Sequence, residues 1–210
     1  MDESKDNHAG EGLDEKTVDH DPFRQFQRWF DEARATVPHL PEAMTVATAT
    51  RDGKPSARLI LLKQVDEQGF VFYTNYRSSK ARELESNPFA SLVFYWPQLE
   101  RQVRVEGTVT RTSAAESDEY FRSRPRDSQI GALASPQSEV ISSRDVLEQR
   151  FADLEAEYRD REVERPEHWG GYRLKPERIE FWKGRRGRLH DRLLYERQGD
   201  GSWFIKRLAP

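Results

Sequence analysis

The sequence of 210 residues contains no cysteine. This absence excludes disulfide bonds, thiolate metal sites and cysteine nucleophiles. The chain also lacks any apolar run near the roughly 18 residues that a membrane-spanning helix needs. Residues 1–16 contain no apolar stretch of the kind that forms the centre of a signal peptide. We therefore expect a soluble protein with a cytoplasmic location.

The chain also lacks a large excess of either positive or negative charge. The chain has 34 Lys and Arg residues against 37 Asp and Glu residues, which leaves a net charge of −3. General nucleic-acid binders usually carry a basic excess, so this balance disfavours an RNA-binding role for the arginines around residue 186. The chain also lacks a P-loop and a strand-linked Gly-x-Gly-x-x-Gly motif. Any bound phosphate must therefore be held by side chains.

The segments that are present predict a mainly β protein. Asp21-Pro22 is a typical helix start, and apolar residues follow it at spacings of three and four as far as Ala33. Most later segments are strand-like and are joined by turn sequences such as Asp52-Gly53. Runs of strands joined by hairpin turns predict an antiparallel sheet or barrel with peripheral helices.

The domain organisation is predicted from hydrophobic content. Residues 1–19 contain only Met1, Ala9, Leu13 and Val18 as hydrophobic residues. That is too little apolar surface to offset the entropy of ordering, so we expect a flexible N-terminal tail. Residues 20–210 show no clear internal linker and are expected to form a single domain.

The segment Arg188-Leu189-His190-Asp191-Arg192 is the first candidate site. Two arginines and a histidine within five residues, at the edge of a predicted strand, indicate an anionic or reactive group nearby. On an extended strand, Arg188, His190 and Arg192 would share one face. The five histidines of the chain show no metal-ligand spacing, so no metal site is predicted.

Arg58 and Lys63 flank an apolar run and form a second candidate. Their separation of five places them on opposite faces of a regular strand, which predicts two different neighbours. The alternative interpretation is that both are strand-end charges that reach into solvent.

A third candidate lies at the end of a predicted helix, with Tyr120, Arg124, Arg126 and Ser128. A guanidinium fork and hydroxyl groups suit a phosphate monoester, because each offers a hydrogen bond to a charged oxygen. A solvated helix end is the alternative.

The polar side chains of Thr74, Gln102, Gln137 and Ser138 are suited to bind a polar heterocycle. Trp182 is either a ring-stacking residue or a core aromatic.

Several of these segments together resemble the pyridoxamine 5′-phosphate oxidase family. The segments are Arg58–Lys63, Ser123–Gly131, Trp169–Gly171, Glu180–Trp182, Arg188–Arg192 and Arg207–Pro210. The resemblance extends from about Leu13 to Pro210. It implies an FMN-binding split β-barrel, antiparallel, that forms a homodimer with an FMN at each of two sites across the subunit interface.

The resemblance also implies an activity. Family members oxidise pyridoxamine 5′-phosphate or pyridoxine 5′-phosphate with oxygen to pyridoxal 5′-phosphate, releasing hydrogen peroxide, and ammonia from the amine, in vitamin B6 biosynthesis or salvage. The implied partners are a small-molecule substrate and a second copy of the chain, with no nucleic acid and no membrane. Two alternatives stay open. One is a flavin oxidase of the same fold acting on another substrate, such as a phenazine precursor. The other is a non-enzymatic module that binds flavin or pyridoxal phosphate.

Site residues are carried over from the family at matching positions. The implied FMN contacts are Arg58, Leu59, Ile60, Leu61, Leu62, Lys63, Tyr73, Thr74, Ser79, Lys80, Gln102, Gln137, Ser138, Trp182 and Arg192. The implied substrate contacts are Lys63, Tyr120, Arg124, Ser128, Arg188, Leu189 and His190. Among these, Arg188 and His190 are the implied catalytic residues.

The chain departs from the family pattern at two places. Family members commonly have Ser-Arg-Lys where this chain has Ser78-Ser79-Lys80, so an FMN-phosphate arginine is missing. We expect weaker FMN binding unless Arg77 takes over that contact. The N-terminal tail also lacks the arginine and tyrosine that would form a flap over the substrate.

Overall fold

The computed structural model describes residues 12–210, which form five α-helices and nine β-strands. The helices are α1 (Pro22–Thr36), α2 (Ser79–Ser86), α3 (Ala114–Ser123), α4 (Arg126–Ala134) and α5 (Arg144–Glu157). The strands are β1 (Ala43–Ala49), β2 (Pro55–Leu61), β3 (Gln64–Asp66), β4 (Gly69–Asn75), β5 (Phe89–Trp96), β6 (Arg101–Arg111), β7 (Trp169–Lys183), β8 (Asp191–Arg197) and β9 (Trp203–Arg207).

Helix α1 begins and packs as the sequence predicts. The Asp21 side chain accepts a hydrogen bond from the backbone N–H of Phe23 over 2.8 Å, which caps the first turn. Phe26, Trp29, Phe30 and Ala33 are buried on the face that covers the sheet. In the described part of the chain, no helix is long and apolar enough to cross a membrane.

The nine strands form one antiparallel sheet. Its main order is β2-β1-β5-β6-β7-β4-β3, and β8 pairs with both β7 and β9. The predicted fold class, an antiparallel split β-barrel with peripheral helices, is confirmed. The core lies between the sheet and α1, where the Phe26 ring is 5.0 Å from those of both Phe70 and Phe94.

Strand β7 is the feature that divides the barrel. One of its edges pairs with β6, and its other edge pairs first with β4 and then, from Arg178 onward, with β8. The sequence predicts two separate strands here, over residues 171–174 and 178–182, on either side of Pro176. In the structure β7 is continuous, because a register shift between Glu106 and Gly107 accommodates Pro176. A Cβ atom on Gly107 would lie 2.0 Å from the carbonyl oxygen of Lys175, so the close approach requires glycine.

The segment before α1 lies against the sheet. Leu13 and Val18 are buried in the main core, and the Tyr195 hydroxyl donates to the Asp19 carbonyl over 2.7 Å. The predicted tail boundary at residue 19 does not match this packing. Two apolar side chains and backbone hydrogen bonds hold residues 12–19 in place, although their composition is mostly polar. Residues 1–11 of the predicted tail lie outside the described residues.

Candidate active site

A cavity of about 940 Å³ brings together most of the predicted site residues. The predicted residues that line it are Arg58, Leu59, Ile60, Leu61, Lys63, Tyr73, Thr74, Ser79, Lys80, Tyr120, Arg124, Ser128, Gln137 and Ser138. They come from β2, β4, α2, α3, α4 and the segment after α4. The cavity has the size of a cofactor site. Its described lining includes four basic side chains and no acidic one.

Arg58 and Lys63 line the same cavity, although their separation of five would place them on opposite faces of a regular strand. Strand β2 ends at Leu61, and the strict alternation of faces does not extend to Lys63. The Arg58 guanidinium donates to the hydroxyls of Thr48 and Ser56, each over 2.5 Å. Its fork is therefore fixed in position before any ligand binds.

Glu83 completes the fixation of Arg58 from helix α2. Its carboxylate lies 3.3 Å from Arg58 and accepts a hydrogen bond from Ser56 over 2.6 Å. Burial acts to raise the pKa of Glu83, but hydrogen bonds from Ser56 and Thr48 and the charge of Arg58 outweigh burial and lower it. The carboxylate thus stays ionised, and β2 is tied to α2 at the edge of the cavity.

Lys80 presents a buried cation to the cavity. The side chain is 8% exposed and donates to the side-chain oxygens of Thr74, Ser78 and Gln137 over 3.0–3.3 Å. Burial, reinforced by the charge of Arg58, lowers the pKa of Lys80 to about 8. Within residues 12–210, no carboxylate forms an ion pair with Lys80. An anionic ligand in the cavity would supply that missing charge.

Arg124 gives the strongest indication of an anion site. It follows α3 directly, and its guanidinium carbon lies 4.5 Å from the centre of the Trp169 ring. Its Nη1 atom is buried and has no hydrogen-bond partner among the described residues. Burial lowers the pKa of Arg124. A buried guanidinium nitrogen without an acceptor is costly, so this position is suited to an anionic ligand.

Helix α4 adds a second anion-binding element beside Arg124. Its first turn contains Ser128, which lines the cavity together with the preceding Pro125. Unpaired backbone N–H groups and the helix dipole make such a helix start favourable for phosphate oxygens. The predicted substrate-phosphate residues Arg124 and Ser128 therefore converge on one wall of the cavity. Arg126, also considered at this helix end, points elsewhere and donates to the carbonyl oxygen of Arg161 over 3.0 Å.

Three stacked aromatic rings form the floor beside this wall. The Tyr73 and Tyr120 rings are 3.9 Å apart and nearly parallel, and the Tyr73 and Trp169 rings are 5.5 Å apart. Burial raises the pKa of Tyr73 to about 12, so its hydroxyl stays protonated. The stack fixes the position of Tyr120 and leaves an apolar surface in the cavity.

The departure from the family pattern at Ser79 lies in the cavity wall. Ser79 begins helix α2 and lines the cavity, whereas Arg77 is exposed and does not line it. The position of Arg77 gives no support for compensation. Arg82, one turn along α2, lies 3.4 Å from the Ser79 hydroxyl and also donates to the Arg77 carbonyl oxygen.

The remaining predicted residues form a second group, away from the cavity. Gln102 pairs with Trp182 and Trp182 pairs with Arg192 across β6, β7 and β8. In the sheet, β1 and β5 separate β6 from β2, which lines the cavity. Arg192 is held by Glu180, which is 3% exposed, through hydrogen bonds of 2.8 and 3.2 Å.

Arg188, Leu189 and His190 precede β8 in a tight turn. Arg188 has a positive φ of 61°, as does the neighbouring Gly187 at 67°. The prediction that Arg188, His190 and Arg192 share one face of a strand is wrong, because β8 begins only at Asp191. Left-handed backbone at a non-glycine residue is costly and is often found at functional sites.

One further predicted site residue lies outside the cavity wall, and seven residues of the wall were not predicted. Leu62 belongs to the core and does not line the cavity. The lining residues that sequence reasoning missed are Asn75, Ser123, Pro125, Gly131, Ala132, Ser135 and Trp169. Trp169 lies in a segment that carries the family resemblance, and its aromatic ring before two glycines was a usable signal. Ser123, Pro125 and Gly131 also lie in such a segment, whereas Asn75, Ala132 and Ser135 gave no signal.

Family models match most of the chain. Residues 30–158 match the family described as pyridoxamine 5′-phosphate oxidase. Residues 169–210 match a region described as the pyridoxine 5′-phosphate oxidase C-terminal dimerisation region. The sheet described above belongs to the class of antiparallel split β-barrel proteins. Within that class, the chain belongs to the pyridoxamine 5′-phosphate oxidase family.

Individual relatives agree with this membership. The chain is 61% identical over 199 residues to a pyridoxine/pyridoxamine 5′-phosphate oxidase of Rubrobacter xylanophilus, covering 95% of this chain and 91% of the relative. It is 57% identical over 206 residues to the protein of the same name from Burkholderia lata, covering 97% of this chain and 96% of the relative.

Solved structures share the fold. PhzG from Burkholderia lata, in complex with tetrahydrophenazine-1-carboxylic acid, is 33% identical with a TM-score of 0.88, covering 93% of this chain and 95% of PhzG. A pyridoxamine 5′-phosphate oxidase-related, FMN-binding protein from Nostoc punctiforme is 18% identical with a TM-score of 0.73, covering 90% and 98% of the two chains. The second likeness supports the fold alone.

Proposed function

We propose that the protein is an FMN-dependent oxidase that converts pyridoxamine 5′-phosphate and pyridoxine 5′-phosphate to pyridoxal 5′-phosphate. Oxygen is the final electron acceptor and yields hydrogen peroxide, and the amine substrate also releases ammonia. The observation that carries the proposal is the buried, unpartnered Nη1 of Arg124 beside the first turn of α4. A substrate with a phosphate ester would satisfy this nitrogen through a charge-assisted hydrogen bond.

The substrate phosphate would be bound by four side chains. Arg124 offers a guanidinium fork, Ser128 and Tyr120 offer hydroxyl groups, and Lys63 adds a positive charge at the exposed rim. These contacts lie away from the reacting carbon of the substrate. Binding energy gained there fixes the orientation of the pyridine ring, which lowers the barrier of the following step.

The residues of the other half of the cavity fit the cofactor. Arg58 and Lys80 would pair with the FMN phosphate, while Thr74, Gln137 and Ser138 would bind its polar groups. The cavity contains a pre-fixed guanidinium and a buried ammonium without a carboxylate partner, which suits an anionic ligand. Bound FMN would supply the hydride-accepting chemistry needed at the C4′ carbon of the substrate and the route of the electrons to oxygen.

The second group of residues would reach the same cofactor from the partner subunit of a homodimer. A C-terminal region described as a dimerisation region supports this arrangement, since it contains Trp182, Arg188, His190 and Arg192. Arg192 would contact FMN, Arg188 would stabilise negative charge near the substrate ring, and His190 would orient that ring or move a proton.

A second candidate function is a flavin oxidase that acts on a phenazine precursor. The likeness to PhzG with its bound tetrahydrophenazine acid favours it. Two observations favour the phosphate-ester substrate instead. The anion site combines Arg124, Ser128 and a helix start, and the identity to the Burkholderia lata oxidase is 57%, against 33% to PhzG of that organism.

One assay distinguishes these functions. The purified protein should be yellow, or become yellow with added FMN, and should consume oxygen with pyridoxamine 5′-phosphate. Unphosphorylated pyridoxamine is the matched control and should react poorly at the same concentration. Faster turnover of tetrahydrophenazine-1-carboxylic acid would favour the second candidate. Tight binding of FMN or pyridoxal phosphate without turnover of any substrate would indicate a non-enzymatic module.

Mixed dimers test whether the two groups meet across subunits. Arg124→Met alters the first group and Arg188→Ala alters the second, so each homodimer should be nearly inactive at a substrate concentration near the wild-type KM or below it. A two-fold dimer formed from one subunit of each variant has one intact site and one doubly altered site. Random re-association should therefore restore about a quarter of wild-type activity. No recovery, with heterodimers shown by mass spectrometry, would place both groups of a site in one subunit.

A further inference from the structure

An ion-pair cluster connects three segments beside the second group of site residues. The Asp191 carboxylate pairs with Arg207 of β9 over 2.9 Å and with Arg185 over 3.3 Å. The same carboxylate accepts a hydrogen bond from the backbone N–H of Leu13 over 3.1 Å. One side chain therefore contacts the N-terminal segment, the C-terminal strand and the turn that leads to His190.

The N-terminal side of this cluster is held closely. Arg207 donates to both carboxylate oxygens of Glu15 over 2.9 and 2.6 Å, and to the carbonyl oxygen of Leu13 over 2.7 Å. A Cβ atom on Gly12 would lie 2.9 Å from Asp191, so the backbone packs directly on this carboxylate. The segment over residues 12–19 is thus fixed through Glu15 and Leu13 as well as through its two buried side chains.

The other side of the cluster leads to the imidazole of His190. The Arg185 side chain pairs with Asp191, and the Arg185 backbone N–H donates to Nδ1 of His190 over 3.1 Å. The His190 ring also lies 4.7 Å from the Trp182 ring. An N–H group can only donate, so Nδ1 acts as the acceptor and the proton of the neutral ring lies on Nε2.

We propose that Asp191 is a positioning residue that couples the N-terminal segment over residues 12–19 to the turn over residues 184–190. Through Arg185, it holds the imidazole of His190 with Nδ1 occupied and Nε2 free to face a ligand. The relevance of this coupling to catalysis rests on the proposed function, but the coupling itself is a property of the chain alone.

Hydrogen–deuterium exchange of the full chain, as purified, tests the coupling without any substrate. Asp191→Asn keeps the shape of the side chain and removes its charge. Exchange in peptides covering 184–190 and 12–19 should become about tenfold faster, which corresponds to the loss of one hydrogen bond to a charged group. Exchange in the buried centre of β8, over residues 193–195, should stay at the wild-type rate. Faster exchange throughout the sheet would indicate general destabilisation and would overturn the proposal.

Two further variants separate coupling from local damage. Glu15→Gln weakens the cluster from the N-terminal side. Although Arg207 and Asp191 lie between Glu15 and the turn, this variant should still accelerate exchange over 184–190. Glu196→Gln removes a carboxylate of the same strand that pairs only with Lys206 among the ion pairs of the described residues, and should leave that turn unchanged. A wild-type rate in the Glu15 variant, or an equal effect of the control, would contradict the proposal.

This outcome is independent of the proposed oxidase activity. If the protein binds no FMN and turns over no substrate, the exchange pattern still decides whether the coupling exists. If it is an oxidase, Asp191→Asn should lower kcat/KM for pyridoxamine 5′-phosphate about tenfold, because ordering of the Arg188–His190 turn is lost. FMN affinity should change less than threefold, since the cavity residues Arg58 and Lys80 are untouched.

Discussion

The ammonium group of Lys80 donates to the side-chain oxygen of Gln137 over 3.2 Å, and the Thr74 hydroxyl donates to the same oxygen over 3.0 Å. Helix α2, strand β4 and the segment after α4 therefore meet at one point of the cavity. The cation at this point is surrounded by neutral oxygens. It is the titratable group in the cavity whose charge changes most readily near neutral pH.

The pH dependence of FMN affinity follows from Lys80. Its pKa is lowered to about 8 by burial, and a bound anion favours the protonated form and raises that pKa. Affinity should be level below pH 8 and fall above it by up to about tenfold per pH unit, because binding then takes up a proton. Titration of the apoprotein with FMN between about pH 7 and 9.5 measures this. Lys80→Arg should flatten the profile, and a flat wild-type profile would contradict the assignment.

Replacement of Arg124 should affect binding and stability in opposite directions. Arg124→Met removes a buried nitrogen without a partner, so the free energy of unfolding should stay constant or rise. The same change should raise KM for pyridoxamine 5′-phosphate by about 10- to 100-fold, since a charged hydrogen bond contributes about 1.5–3 kcal/mol. Arg122→Met, at an exposed position that does not line the cavity, is the matched control and should change neither value.

Restoring the family arginine should tighten cofactor binding. Ser79→Arg places a guanidinium at the start of α2, in the wall of the cavity. If the FMN phosphate lies there, its dissociation constant should fall by about 10- to 100-fold, which corresponds to roughly 1.5–3 kcal/mol. Fluorescence quenching of FMN measures the constant. Arg77→Ala should have little effect on FMN binding, because Arg77 does not line the cavity. Weaker FMN binding in that variant would show that Arg77 replaces the missing arginine.

Glu180 should contribute to stability because it joins two arginines. Its carboxylate pairs with Arg104 over 3.1 Å and with Arg192 over 2.8 Å, and it is 3% exposed. Glu180→Gln removes the carboxylate partner of Arg192 and leaves Arg104 with Glu106 alone, and it should lower the free energy of unfolding by about 1–3 kcal/mol. Denaturant unfolding of the apoprotein measures this loss. The exposed pair of Glu196 and Lys206 provides the comparison, and Glu196→Gln should leave the free energy of unfolding nearly unchanged.

The fold was largely predictable because its signals are local. The cap at Asp21 and the aromatic spacing after it determine α1, and Asp52-Gly53 closes the hairpin between β1 and β2. The capping box of Ser113 and Glu116 begins α3. Each of these features depends on residues within a few positions of one another. The continuity of β7 past Pro176 was not predictable, because it depends on a bulge at Glu177 that forms only against the distant strand β6.

The candidate site was less accessible to reasoning from residues alone. Alternation of faces failed for Lys63 and for Arg188, since both lie just outside a strand whose end no local signal marks. Most site residues entered through the family resemblance, and their roles stay predictions. The burial of the Arg124 guanidinium could not be predicted, because it depends on contacts such as the one with Trp169, which lies 45 residues away in the sequence. The cytoplasmic location also stays a prediction.

The length of β7 has a consequence for how the protein works at low concentration. Its first residue, Trp169, borders the cavity, and Trp182 near its other end touches His190. Thirteen steps of strand separate these two residues, which is about 40 Å measured along the chain. If both ends serve one cofactor, a lone subunit holds two incomplete half-sites. Activity at high dilution should then fall in proportion to the fraction of subunits that are associated. Added FMN should restore activity only if it promotes association of the subunits.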